Sequence, residues 1–161
     1  MNNKYQIYID LDGVLADFEA GVVGYRESDT VMWNFVNSIG PSFWENLSFL
    51  ENGKELWEHI KPLRPIILSA HPKKSEVGEK MVKEVIEGKR NWIKKHLGPE
   101  FASSAKIVDR SEKKLYAKSN TILIDDYIKN VTEFKEAGGL GIHFNDAKVA
   151  IEEVIAIAVV F

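Results

Sequence analysis

The sequence predicts an α/β protein with three layers, in which helices cover both faces of a mainly parallel five-stranded sheet. Five short stretches rich in β-branched residues, at 5–9, 65–68, 106–108, 121–124 and 140–144, have the length of strands, and most are too short for helices. Between them lie segments whose apolar residues return every three or four positions, the pattern of a helix with one buried face. Strands that alternate with such helices form parallel sheets buried on both sides, and these sheets hold ligands beyond the carboxyl ends of their strands. The architecture is Rossmann-like, and its functional loops follow the strands.

Each element has its own signal. The run Tyr5-Gln6-Ile7-Tyr8-Ile9 ends in Asp10-Leu11-Asp12-Gly13, which places two carboxylates one residue apart at a strand tip. The span of about 18–61 shows no strand pattern and is rich in aromatics, namely Tyr25, Trp33, Phe35, Phe43, Trp44, Phe49 and Trp57. It reads as a small helical cap inserted after the first strand and seated over the strand ends. The second strand leads into Ser69, and Val77, Met81, Val82, Val85, Ile86, Ile93 and Leu97 then keep helical spacing. The strand at 121–124 ends in a second carboxylate pair, Asp125-Asp126. Tyr127, Ile128, Val131, Phe134 and Ala137 continue as a helix that Gly138-Gly139 stops. Ala147, Ala150, Ile151, Val154, Ile155 and Ala158 form a last amphipathic stretch. No internal repeat, low-complexity tract or linker divides the chain, so 1–161 reads as a single domain.

Composition narrows the function. With 161 residues, 45% of them hydrophobic and 28% charged, the chain is long enough to bury one good core. The formal net charge of -3 supplies no broad basic surface for a nucleic-acid polymer, so an anionic ligand requires a local pocket. The absence of cysteine excludes disulfides and thiolate zinc sites and is compatible with a reducing cytoplasm. The first strand begins too early to leave room for a signal segment, and the longest apolar run, 154–161, falls far short of the roughly 20 residues that span a bilayer. A soluble cytoplasmic protein is expected, with no membrane partner; a homodimer is allowed and not required.

The chemistry lies in the two acidic pairs. Asp10 and Asp12 share a face of an extended chain and repel each other. An oxygen-only, carboxylate-rich site favours a hard cation, magnesium. A calcium loop is excluded, because Val14 and Leu15 follow Gly13 where further oxygen ligands would be needed. If the strand ending in Asp125-Asp126 meets the first at one end of a parallel sheet, three or four carboxylates surround one metal. Ser69 supplies a hydroxyl at a third strand end, and Lys113 or Lys114 supplies an ammonium.

In this order, Asp10-Leu-Asp-Gly-Val, Ser69, a lysine and Asp125-Asp126 resemble the four motifs of the haloacid dehalogenase (HAD) superfamily of phosphotransferases. The resemblance implies that Asp10 is a nucleophile forming an aspartyl-phosphate. Asp12 is then the general acid and base. Mg²⁺ would be held by Asp10, the Asp12 carbonyl and Asp126, with Asp125 acting through water or orienting the site. Ser69 and Lys113 would hold the phosphoryl oxygens, and Lys113 is favoured over Lys114 because the run 113–117, Lys-x-x-Tyr-Ala, resembles that family's lysine motif.

A narrower resemblance is to the 5′(3′)-deoxyribonucleotidases. It rests on Asp-Leu-Asp-Gly-Val-Leu-Ala-Asp-Phe at 10–18, on Lys89-Arg-Asn-Trp, and on Phe43-Trp44. It implies a small phosphorylated substrate, a pyrimidine deoxyribonucleoside monophosphate, with Phe18 facing the base and Lys89 helping to bind phosphate. Trp44, Ala70 and Lys73 join the expected substrate-binding set; Ala70 stands where that family has a polar residue. A sugar phosphate substrate and a non-catalytic nucleotide sensor are the alternatives. For Trp33, Phe35, Trp44 and Trp57 taken singly, packing is the simpler role. His71 reads as a hydrogen-bonded loop residue, and Lys94, Lys95 and Arg110 read as surface charge. His59, His96 and His143 lack the spacing of a zinc site.

Overall fold

The computed structural model describes residues 4–158. The first and last three positions of the domain expected over 1–161, and with them the end of the apolar run 154–161, lie outside the described residues. Five strands form one sheet: β1 (Gln6–Ile9), β2 (Ile66–His71), β3 (Lys106–Asp109), β4 (Thr121–Asp125) and β5 (Leu140–His143). Their order is β3-β2-β1-β4-β5, and every neighbouring pair is parallel. The connection from β1 carries α1 (Phe18–Gly21), α2 (Asp29–Ile39), α3 (Pro41–Glu45) and α4 (Glu51–Ile60). Then come α5 (Lys74–Val77), α6 (Glu79–His96), α7 (Pro99–Ser104), α8 (Ile128–Glu136) and α9 (Ala147–Ala158).

The strand pleat sorts the core into two halves, because successive side chains face opposite ways. Ile7, Ile9, Ile67, Ile122, Ile124 and Ile142 face a large cluster built with Leu56 and Ile60 of α4, Val85 and Trp92 of α6, and Ala150 and Val154 of α9. Leu68 and Leu123 face the other side with Phe134 of α8, joined by Tyr8 and by Tyr116 from the 3-10 segment Arg110–Tyr116. This is the three-layer α/β/α arrangement that the alternating pattern predicts. Helix α4 packs on α9, and its Trp57 meets Phe101 edge-on at 4.7 Å. Helix α3 packs on α6, where a Cβ at Gly88 would lie 2.3 Å from the Pro41 carbonyl oxygen. The Trp92 indole, fully buried, donates to the Leu47 carbonyl at 2.8 Å, so it adds bulk without leaving a polar atom stranded.

Two boundaries differ from the sequence reading. Strand β2 runs on through Ser69 and Ala70 to His71, so Ser69 lies inside the strand and His71 ends it rather than sitting in a loop. The cause is tertiary: Ser69, Ala70 and His71 pair with Ile107, Val108 and Asp109 of β3, and that ladder extends the strand past its last large apolar residue. Val77 belongs to α5, and Gly78 at φ 85° separates it from α6. Gly138, at φ 99°, ends α8 as expected.

Gly53 of α4 seats that helix against the turn after β1, since a Cβ there would lie 2.3 Å from the Val14 carbonyl oxygen and 2.9 Å from Leu15 Cα. Gly53→Ala is therefore expected to lower unfolding free energy by about 1–3 kcal/mol in urea titrations. Unchanged stability would show that α4 does not seat on this turn.

Candidate active site

The site begins with the way β1 ends. The Asp10 N–H still donates to the Ile124 carbonyl at 2.9 Å, and the chain then turns sharply. The Leu11 carbonyl accepts from the N–H groups of Leu15 (2.8 Å) and Ala16 (2.9 Å), while Gly13 N–H donates to the Ala16 carbonyl at 2.9 Å. Val14, Leu15 and Ala16 are buried and anchor the turn. Gly13 adopts φ 81°, and a Cβ there would lie 2.1 Å from Asp126 Oδ2, so only glycine lets β1's turn approach the second acidic pair this closely.

Strands β1 and β4 are parallel neighbours with Ile9 opposite Ile124, so their carboxyl ends coincide. As a result Asp10, Asp125 and Asp126 offer carboxylate oxygens that all lie within 4.8 Å of one another. Lys113 bridges two of them, donating to Asp10 Oδ1 at 3.0 Å and to Asp125 Oδ2 at 2.8 Å, with only 2% of its side chain exposed. Its direction comes from a capping box: the Asp109 carboxylate accepts from Ser111 N–H, and the Glu112 carboxylate accepts from Asp109 N–H. This winds the segment so that Lys113 turns inward and Lys114 outward. Asp125 also accepts from the Tyr127 N–H (2.9 Å) and from Asn130 Nδ2 (3.0 Å). Asn130 Oδ1 accepts from Arg110, which Glu133 holds by a 3.0 Å ion pair.

These groups perturb one another. Burial, then the Asp10 charge, raises Asp125 to about 6 against the pull of Lys113. Burial, then the charges of Asp10 and Asp125, raises Asp126 to about 7. Burial alone would lower Lys113, but Asp10 and Asp125 outweigh it and hold the ammonium above its ordinary range. Three carboxylates against one ammonium is an excess of negative charge in an oxygen-only donor set, and it fits a hard divalent cation such as Mg²⁺.

A second lysine stands beside this group. Lys89 of α6, 1% exposed, donates to Asp12 Oδ2 at 2.6 Å, to Ser69 Oγ at 2.8 Å and to the Ala70 carbonyl at 2.6 Å. Its Nζ lies 4.8 Å from the centre of the Trp44 ring. Burial raises the Asp12 carboxyl above the usual carboxylate range; Lys89 works against this and Asp10 adds to it.

Both clusters open into a cleft of about 280 Å³. Phe18, Trp33 and Trp44 line one part of it, with Phe18 stacked on Trp44 at 5.4 Å and 15°. Of the residues singled out in the sequence, Asp10, Asp12, Lys113, Lys89, Phe18, Trp44 and Ala70 line this cleft. Asp126 closes the carboxylate group from an exposed position. Ser69 is fully buried behind Ala70, with its hydroxyl on Lys89. Lys73 is exposed at the start of α5 and does not line the cleft. Arg110 corrects the surface reading: it lines the cleft and is half-buried, because its guanidinium lies against Asn130 and Glu133 of α8. Asn130, Tyr127 and Trp33 were also not singled out for the site. The position of Asn130, one helical turn after the acidic pair, was the signal that could have found it.

No protein-family model matches the chain, and no curated protein matches it. Among solved structures the chain is similar to a hydrolase from Streptococcus pneumoniae TIGR4, with 15% identity over 96% of this chain and 100% of that chain and a TM-score of 0.49. It is also similar to a Thermotoga maritima protein assigned as a beta-phosphoglucomutase, with 17% identity over 96% and 92% of the two chains and a TM-score of 0.41. Neither likeness bears on activity.

The raised carboxyls have a measurable consequence. Folded Asp125 and Asp126 titrate near 6 and 7, above the unfolded value of 3.8, so their contribution to stability is complete below the unfolded value and is lost as pH rises through about 7. In EDTA the melting temperature is expected to fall between pH 5 and pH 8 by way of these groups. Saturating Mg²⁺ at pH 8 is expected to restore it, because a cation that binds only the folded state stabilises it. A melting temperature that is flat with pH and indifferent to Mg²⁺ would contradict the carboxylate cluster.

Proposed function

We propose that the protein is a magnesium-dependent phosphomonoesterase that works through an aspartyl-phosphate, with a pyrimidine deoxyribonucleoside monophosphate as substrate. The observation that carries this reading is the meeting of Asp10, Asp125 and Asp126 within 4.8 Å, bridged by Lys113, at the floor of an aromatic cleft. Asp10, Asp126 and the Asp12 carbonyl would hold Mg²⁺, which would supply positive charge opposite the phosphoryl oxygens. Asp10 is 7% exposed, so a phosphorus atom at the cleft floor can reach a nucleophile that is otherwise shielded from water. Lys113 fixes that carboxylate and places an ammonium where charge gathers during transfer. Asp12, on the same turn and with a carboxyl that burial favours in its neutral form, protonates the departing oxygen and later activates water.

The aromatic wall supports the nucleotide part of the reading. A base can enter beside Phe18 and Trp33, which line the cleft, while its phosphate reaches Asp10. Among the described residues no helix is long and apolar enough to cross a membrane.

The purified protein is expected to hydrolyse an aryl phosphate with Mg²⁺ and to lose this in EDTA. Asp10→Asn is expected to lower the rate by about 10³-fold or more. Full activity in that variant would remove the nucleophile assignment. Across a panel, kcat/KM is expected to be higher for deoxyribonucleoside monophosphates than for sugar phosphates. Phe18→Ala is expected to raise KM for the nucleotide about tenfold, in line with the loss of one stacking contact. Equal rates across the panel would remove the nucleotide part and leave the esterase.

A further inference from the structure

Arg110 lines the cleft and takes no part in the phosphoryl chemistry described above. Its guanidinium carries five N–H donors in one plane. Glu133 takes the far end of that plane, with Oε2 on Nη1 at 3.0 Å and Oε1 on Nη2 at 3.5 Å, and Asn130 Oδ1 takes the other hydrogen of Nη1 at 3.0 Å. The donors that remain, Nε–H and the outer hydrogen of Nη2, lie side by side on one edge of the group and have no acceptor among the described residues. Parallel donors of this kind engage two neighbouring acceptors at once.

Position and charge narrow what those acceptors are. Lys113 and Asn130 Nδ2 both donate to Asp125 Oδ2, at 2.8 and 3.0 Å, and Arg110 donates to Asn130, so the guanidinium stands outward from the charged floor along a chain of hydrogen bonds. With 33% of its side chain exposed, it is open to a ligand in the cleft. Its charge is already matched by Glu133, and the floor carboxylates disfavour a second anion nearby. A neutral pair of acceptors therefore suits the free edge better than another phosphate or a carboxylate.

Among pyrimidines that requirement discriminates. Cytosine presents O2 and N3 as adjacent acceptors. Uracil and thymine carry a hydrogen on N3, so a donor would face a donor there.

We propose that Arg110 reads the base: its free edge takes O2 and N3 of cytosine, so that the site selects deoxycytidine 5′-monophosphate over the uracil and thymine nucleotides. This rests on the reading of the protein as a phosphomonoesterase of pyrimidine deoxyribonucleotides. Arg110 is then a specificity-determining residue at the base, while phosphorus is handled at Asp10.

Deoxycytidine and deoxyuridine 5′-monophosphates provide the test, because their bases are nearly equal in size and differ at N3 and at the group on C4. With Mg²⁺, wild-type kcat/KM is expected to be higher for the cytosine ester by about tenfold or more, the discrimination typical of one bidentate contact to a base edge. Arg110→Lys keeps a cation beside Glu133 and Asn130 but has no parallel donor edge. In that variant the ratio is expected to fall to within about threefold of unity, chiefly through loss on the cytosine ester. Should Arg110→Lys fail to give a cooperative melt, Arg110→Met is read by the same ratio.

A wild-type ratio near unity or below it would overturn the proposal, and so would a preference that survives in the variants. A surviving preference together with a raised inhibition constant for inorganic phosphate would place the guanidinium on the phosphate instead. A wild type inactive on both nucleotides and on an aryl phosphate would remove the esterase reading and the proposal together. A wild type active on both nucleotides without preference would remove the proposal alone.

Discussion

Buried carboxylate charge is the constraint around which this molecule is arranged. Asp10 and Asp125 are buried at the carboxyl ends of two adjacent strands, where the low dielectric makes an uncompensated charge costly, with Asp12 half-buried beside them and Asp126 at the exposed rim. Two buried ammoniums answer them: Lys113 between Asp10 and Asp125, and Lys89 on Asp12. At the metal group, Asp10, Asp125 and Asp126 outnumber the Lys113 ammonium, and a divalent cation would offset that excess of negative charge. The raised Asp125 and Asp126 carboxyls express that same imbalance.

The three-layer fold meets this constraint from both sides of the sheet. Asp125 shares a strand face with Leu123, and its ammonium partner comes from the 3-10 segment on that face. Ser69 shares the opposite face with Ile67, and Lys89 reaches it there from α6. One lysine thus descends from each outer layer. Close backbone approach completes the arrangement at two glycines, Gly13 beneath Asp126 and Gly88 beneath Trp44. The aromatic wall is tied to the charged floor through Trp44, which packs on α6 and covers Lys89.

Much of this was legible before any coordinates. The strands and the parallel sheet followed from apolar runs separated by helical spacing, since such runs pack as a sheet covered by helices on both faces, whereas the strand order did not. The acidic pairs stood out because each sets two carboxylates close together at the end of an apolar run. What stayed hidden depended on contacts between distant segments. The Lys89-Arg-Asn-Trp run pointed to Lys89, but nothing local says that it, and not Lys83, Lys94 or Lys95, is the buried lysine of its helix. Arg110 looked like surface charge because its partners, Asn130 and Glu133, lie 20 and 23 residues away. The end of β2 was missed because its last residues are held by β3 rather than by their own apolar character.

The central claim is that Asp10 and Asp126, 116 positions apart in sequence, share one divalent cation. Diffraction at the manganese absorption edge, from crystals grown with Mn²⁺ in place of Mg²⁺, tests it most directly. The account requires an anomalous peak within coordination distance of both carboxylates, at the floor of the aromatic cleft. Manganese-saturated crystals with no peak between those two side chains would contradict it.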